Sequence, residues 1–449
     1  MDRARLRRLL DSEIEESARR NPRSRSAYER AGHLFGKVPM TWMNKNAGTF
    51  PLYLDGAHGA RVSDIDGHEY IDFCLGDTGA MAGHSPAPVV EAVERRYRDR
   101  GGATAMLPTE DAEWVGAELA RRFGLPRWSF SLTATDANRW AVRLARAVTG
   151  RRKILFNSYC YHGSVDESLI VVGEDGRGAM RPGNVGAPCD VALTSRVAEF
   201  NDLAGLEREL AEGDVAAVLM EPALTNIGIV LPEPGYLEGV RELTRRHRVL
   251  LINDETHTFS AGPGGCTGAW DLEPDMLTIG KAIGGGIPSG GYGLSAELAD
   301  RLLGRADLDL VDMGGVGGTL AGNALSVAAM RATLEHVLTD EAFFHMSALS
   351  QRFEEGVRKG IESSGLPWSV SRLGARTEYR FASPAPRTGT ESAAVADAEL
   401  EDFLHLWMAN RGVLMTPFHN MALMCPDTTD ADVDTHTALF ADALAELAG

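Results

Sequence analysis

Short apolar runs that alternate with amphipathic helical stretches occupy the middle of the chain, and they leave few ways to fold it. Trp128–Leu132, Lys153–Phe156, Val215–Met220, Val249–Asn253 and Met276–Ile279 have strand length. Helical segments separate most of them, most clearly at Asp136–Val148, Leu203–Ala211 and Pro234–His247. Apolar strands divided by helices pair in parallel and are covered on both faces. The pattern predicts an α/β fold with a mostly parallel sheet. In such sheets ligands bind at the carboxyl ends of strands.

The flanks are built differently. Residues 1–35 are polar and helix-prone, and Phe50–Phe73 alternates around Asp55-Gly56 and Asp66-Gly67, which predicts a small antiparallel meander. A helical stretch, Pro88–Arg98, follows. From Ala324 a long helical pattern leads through a mixed segment to a final helix, Asp430–Leu447. A chain of 449 residues exceeds one small core. The expected division is a large domain at 76–325 and a smaller α/β domain built from both termini, 1–75 and 326–449. Ser383–Ala394, rich in Pro, Ser, Thr and Gly, reads as a loop within the smaller domain.

Charge and cysteine usage exclude several classes. The formal charge is −18 and no basic face is evident, so no nucleic-acid partner is expected. Arg3, Arg5, Arg7 and Arg8 are interleaved with Asp11, Glu13, Glu15 and Glu16, which reads as a charged helix rather than a targeting peptide. No apolar stretch approaches membrane-spanning length, so no membrane partner is expected either. The five cysteines are scattered without a C-x-x-C pair. They support neither a disulfide framework nor a cysteine metal site, and a reduced, cytoplasmic setting is expected.

Two strand ends carry the chemistry. Leu250–Asp254 is an apolar strand ending on a carboxylate, which by itself suits a helix cap, a metal ligand or a catalytic acid. Met276–Lys281 ends in Gly280-Lys281 before the glycine run Gly284–Gly286. A lysine among small residues is poorly solvated, and burial favours its nucleophilic amine form; alone, the motif also suits a surface lysine. Together, an acid and a lysine 27 residues apart at successive strand ends suit pyridoxal 5′-phosphate. The lysine would form the imine, and the acid would keep the pyridinium protonated. A Walker phosphate loop is excluded, because Asp275 and Ala282 stand where it needs Gly and Ser or Thr. Thr133-Ala134-Thr135, between a strand and a helix, suits either a phosphate cup or an ordinary N-cap.

The stretch Asn253–Gly293, NDETHTFSAGPGGCTGAWDLEPDMLTIGKAIGGGIPSGGYG, resembles the core of the class III aminotransferases of pyridoxal phosphate. DIDGHEYIDF (64–73), RLARAVTGR (143–151), YHG (161–163), EP (221–222) and GGTLAGN (317–323) follow the family's order. The resemblance covers roughly residues 50–330 and is nearest the glutamate-1-semialdehyde 2,1-aminomutase-like branch. It implies fold type I and a homodimer with shared sites. It also implies a Schiff base on Lys281, with Asp254 as the pyridinium partner. Tyr161 and Thr256 would flank the ring, with Thr133, Ala134 and Thr135 around the phosphate. Glu221 and Asn226 would lie near the ring edge, and Thr319 would reach the phosphate of the partner subunit.

The chain departs from that pattern in the cup, where Ala134 replaces Gly, and after Glu255, where Thr-His-Thr-Phe-Ser-Ala replaces Val-Met-Thr-Gly-Phe-Arg. His257 is expected to be a satisfied core histidine. Residues 37–45, KVPMTWMNK, lack the branch's carboxylate-gripping arginine, and Gly76-Asp77-Thr78 stands where an aromatic is usual. These differences argue against glutamate semialdehyde itself as substrate. Asp77 is the candidate selector of a polar or cationic group. Arg376 or Arg380 would replace the missing guanidinium, and His419 within PFHNMALM (417–424) would line the site mouth. The implied activity is an aminotransferase acting on small amino and keto substrates. The alternative is an isomerase, an aminomutase or a racemase/epimerase, using the same residues.

Overall fold

The computed structural model describes residues 2–311 and 313–448. Its contacts divide it into a larger unit, Ala87–Phe343 with Pro386–Ala394, and a smaller one from 2–86, 344–385 and 395–448. The larger unit holds a seven-stranded sheet. In chain order its strands are β1 (Arg127–Ser131), β2 (Lys153–Asn157), β3 (Ser195–Ala198), β4 (Val215–Met220), β5 (Leu250–Asp254), β6 (Met276–Gly280) and β7 (Gly290–Leu294). The spatial order is β1-β7-β6-β5-β4-β2-β3. Pairs from β6 through β5, β4 and β2 to β3 are parallel. β7 runs antiparallel between β6 and β1. All six residues of β4 and all five of β6 are buried. That is why these segments read as unbroken apolar runs rather than alternating ones.

Two strands of this sheet were not expected from the sequence. β7 reads GGYGL, and three glycines in five residues carry no strand signal. The glycines are there for packing. A Cβ on Gly290 would lie 2.8 Å from the Thr133 carbonyl carbon, and one on Gly293 would meet the Trp128 ring at 2.7 Å. β3 is a four-residue edge strand, SRVA, with too few apolar positions to stand out.

The unit boundary differs from 325/326 because helix Ala324–His336 packs against helices Ala87–Glu94 and Glu110–Phe123 of the larger unit. The second half of Ser383–Ala394 is a short helix, Gly389–Ala394, and not a loop. It belongs to the larger unit. Arg387 pairs with Glu233 there, and Asn201 Nδ2 donates to the Arg387 carbonyl at 2.9 Å.

In the smaller unit, Leu54–His58, Arg61–Asp64 and Glu69–Asp72 form the expected antiparallel meander. Its first turn lies at Gly59-Ala60, with Asp55-Gly56 inside the first strand at a register shift, while Asp66-Gly67 is a true turn. Val413–Leu414 adds a parallel strand beside Glu69–Asp72, joining the two ends of the chain in one sheet. A second sheet combines Ser369–Leu373, Arg376–Arg380 and Met421–Leu423. Among the described residues no helix is long and apolar enough to cross a membrane.

One buried cation ties helices together in the larger unit. The Arg122 side chain is 2% exposed and donates to the Leu334 and Leu338 carbonyls at 2.8 and 3.0 Å and to Glu118 at 2.7 Å. It thus closes the carbonyl end of helix Ala324–His336. Arg122→Met should lower the unfolding free energy by about 2–4 kcal/mol, since buried carbonyls lose charged donors. A urea midpoint unchanged from wild type would refute that role.

Candidate active site

β5 and β6 are neighbours, with Asp254 opposite Thr278, so both strands end on the same edge of the sheet. Successive side chains of a strand point to opposite faces, and Asp254 and Glu255 diverge accordingly. Glu255 accepts from Thr258 Oγ1, from the backbone N–H groups of Cys266 (3.0 Å) and Thr267 (2.6 Å), and from Thr267 Oγ1 (2.6 Å). Burial raises its pKa despite these bonds. It organises the turn after β5 and presents nothing outward.

Asp254 is 3% exposed, and its carboxylate is held from three sides. Oδ2 meets His162 Nδ1 at 2.9 Å and accepts from Asn138 Nδ2 at 2.8 Å, while Oδ1 accepts the Thr256 N–H at 3.0 Å. Burial alone would raise the Asp254 pKa. The bond and charge of His162, with the bonds from Thr256 and Asn138, outweigh burial and hold it below the ordinary carboxylate value. Burial likewise disfavours an imidazolium at His162, but Cys160 and Asp254 outweigh it and hold the His162 pKa well above normal. Asn138 is oriented by Thr278 Oγ1, which donates to its side-chain oxygen at 2.6 Å. The carboxylate therefore stays ionised and fixed in direction.

Neither His162 nor Asn138 was singled out in the sequence. YHG pointed to Tyr161, and the adjacent histidine was the available signal. Asn138 lies inside helix α1 (Ala134–Thr149), where nothing in the local pattern marks it.

Lys281 follows β6 directly with φ of +50°, a left-handed conformation uncommon for a residue with a Cβ. Its side chain is half-buried. Nζ lies 2.7 Å from His257 Nε2, on the turn after β5. His257 is buried, as a core histidine would be, but its ring meets the lysine rather than the apolar core.

The Thr133–Thr135 turn begins α1. Thr133 is its N-cap, accepting the Asp136 N–H at 3.1 Å and donating to Asp136 Oδ2 at 2.9 Å. Thr135 Oγ1 accepts the Ser164 N–H at 3.3 Å. The Thr133 hydroxyl thus serves the helix. The Ala134 and Thr135 backbone N–H groups lie in the first turn, where a helix has no partners of its own for them. A Cβ on Gly280 would stand 2.8 Å from the Ala134 nitrogen, so glycine at the end of β6 lets that strand reach the helix start.

The other candidates lie on several elements. Tyr161, 43% exposed, is in the loop after β2. Glu221, just past β4, is buried and accepts from Thr225 Oγ1. Asn226 Nδ2 donates to the Tyr159 carbonyl at 3.5 Å. Thr256 Oγ1 is buried without a protein partner. Thr319 is exposed, beside a cavity of about 910 Å³ that Asp136, Arg139 and Arg143 also line. Asp77, Arg376 and His419 belong to the smaller unit. Asp77 and Thr78 both have positive φ, 49° and 83°. Arg376 is fully buried and donates to Thr78 Oγ1. His419 is buried, with Nδ1 3.5 Å from Glu378 Oε1.

An ionised acid and a lysine from adjacent strand ends thus stand with a helix N-terminus that Gly280 lets approach closely. The orphaned Thr256 hydroxyl and His162 Nε2 are buried polar atoms beside the acid that lack a protein partner. This donor set fits a ring with a basic nitrogen, an aldehyde and a phosphate.

Residues 42–444 match the family Aminotransferase class-III. The chain is 34% identical over 423 residues to glutamate-1-semialdehyde 2,1-aminomutase of Desulfitobacterium hafniense (strain DSM 10664 / DCB-2), covering 92% of this chain and 95% of that one. It is 50% identical to a crystal structure of a glutamate-1-semialdehyde-aminomutase from Pseudomonas aeruginosa PAO1, with a TM-score of 0.96 over 100% of this chain and 99% of that one. A lysine-to-alanine variant of that enzyme has been solved in complex with PMP. An omega-transaminase from Sphaerobacter thermophilus is 29% identical, with a TM-score of 0.86 over 95% of this chain and 98% of that one.

The raised pKa of His162 sets a pH dependence. A group whose folded pKa exceeds its unfolded value stabilises the fold fully below the unfolded value, about 6.5 for histidine, and loses that contribution as pH rises through the folded value. Wild-type stability should therefore carry a component that is full below about pH 6.5 and declines as pH rises above it through the raised His162 value. His162→Gln should lack it. Unfolding midpoints of the two proteins that run parallel across this window would refute the charged pair.

Proposed function

The chain belongs to the class III aminotransferase family, a fold type I family of pyridoxal-phosphate enzymes, and on that premise we propose that it relocates an amino group on a small substrate as a 2,1-aminomutase does. The observation that carries this reading is the ionised, bracketed Asp254 at the end of β5, with the Lys281 amine at the end of β6. Bound there, pyridoxal phosphate supplies an aldehyde that condenses with a primary amine and a ring that draws electrons from the carbon bearing that amine. Asp254 would hold the ring nitrogen's proton, kept ionised by His162, Asn138 and Thr256. The Ala134 and Thr135 N–H groups at the start of α1 would take the phosphate, the site an α-helix N-terminus offers to an anion. Tyr161 and Thr256 would flank the ring, and Glu221 and Asn226 would border its edge. Lys281 Nζ, freed from the cofactor, would carry the proton to and from the substrate carbon.

The relatives named as aminomutases support an isomerase. The likeness to an omega-transaminase keeps the aminotransferase as the second reading, with the same residues and a product that leaves before the amino group is returned. Residues 37–45 contain no arginine, which supports a substrate other than glutamate semialdehyde. Asp77, Arg376 and His419 are the proposed substrate-selecting residues. An unchanged order of preferred amine donors in Asp77→Asn would remove Asp77 from that set. We further propose a homodimer in which Thr319 serves the partner subunit's phosphate. Val311 and Met313 in the same segment are apolar and exposed, which supports a covered surface there.

Borohydride reduction of the holoenzyme should leave the pyridoxyl group on Lys281, and a label on Lys45, Lys153 or Lys359 would overturn the site. Asp254→Asn should keep the fold and lose about 10²–10⁴ in kcat, the scale of acid–base catalysis. Product formation without added keto acid marks the isomerase, and a strict need for keto acid marks the transferase. Sedimentation should show a dimer, and an active monomer with full cofactor content would refute the shared site.

A further inference from the structure

We propose that His257 is a positioning residue for the Lys281 amine, holding Nζ in one direction through a hydrogen bond to its Nε2. The inference rests on the reading of Lys281 as the cofactor lysine and adds a partner to it. The two atoms are 2.7 Å apart, within ordinary hydrogen-bond range. Both residues sit on short turns that follow the neighbouring strands β5 and β6. The parallel pairing of those strands fixes the separation.

In this arrangement a Nζ–H donates and Nε2 presents its lone pair to it. The imidazole proton is then on Nδ1. A lysine's flexible four-carbon stem by itself allows Nζ many orientations, and a 1 Å misplacement of a reacting group is costly to rate. The backbone narrows the choice further, because Lys281 has φ +50° and follows Gly280, which packs closely on Ala134. The bond to His257 adds a restraint at the tip. It stands one residue past Thr256, whose N–H bonds Asp254, so one turn fixes the acid and the amine together.

Without this bond Nζ loses one restraint, so an added electrophile should reach the Lys281 amine more readily. That consequence can be read without cofactor or turnover.

The experiment compares wild type, His257→Phe and His257→Gln. Glutamine keeps a side-chain oxygen that can accept from Nζ, whereas phenylalanine fills the space without an acceptor. Full-length apoprotein is labelled with trace acetic anhydride at one pH, and acetylation of Lys281 is measured by mass spectrometry against Lys359 as an internal standard. His257→Phe should raise Lys281 labelling about tenfold, the scale of one lost hydrogen bond. His257→Gln should stay near wild type. In the holoenzymes, kcat should fall in His257→Phe with KM little changed, and recover in His257→Gln. Equal labelling of Lys281 in all three proteins, or phenylalanine and glutamine variants that behave alike, would overturn the proposal. The Lys281 reading fails separately, if borohydride places the pyridoxyl group on another lysine.

Discussion

A carboxylate with 3% of its surface exposed remains an anion only where the protein replaces the lost water, and the arrangement around Asp254 does this with three donors. Desolvation of an isolated charge would cost several kcal/mol and would neutralise the acid instead. Each donor comes from a different element: the loop after β2, the first turns of α1 and the turn after β5. The acid can therefore exist in its charged form only once the sheet has assembled. The same assembly sets the Lys281 turn one strand away.

Close approach is the second constraint. The chemistry of the larger unit requires the start of α1 to meet the ends of β6 and β7. A side chain at Gly280 or Gly290 would overlap the Thr133–Ala134 backbone. Glycine is disfavoured in strands because it loses more chain entropy and packs less. At these two positions that cost is offset by contact between strand ends and a helix N-terminus. This contact also accommodates the methyl group of Ala134 opposite Gly280.

The same glycines explain where the sequence misleads. β7 is invisible to hydrophobic pattern because its role is to be thin, and β3 is too short to register. The first meander turn was expected at Asp55-Gly56, a strong turn dipeptide, but the strand runs through it with a register shift, and the chain reverses at Gly59 instead. Tertiary pairing overrode local turn preference there. His257 is buried as a core residue would be; no local feature distinguishes a histidine packed on leucine from one pointed at a lysine.

The sequence by itself determined the alternation of strand and helix, the buried character of β4, β5 and β6, and the acid and lysine at successive strand ends. These follow from side-chain period and spacing, which are properties of neighbouring residues. Only the tertiary structure decided which groups meet. Asn138 and His162 reach Asp254 across 116 and 92 residues, and Lys281 reaches His257 across 24. Such partners are chosen by the order of strands in the sheet, because a hydrogen bond depends on where two segments arrive in space, and local periodicity carries no record of that.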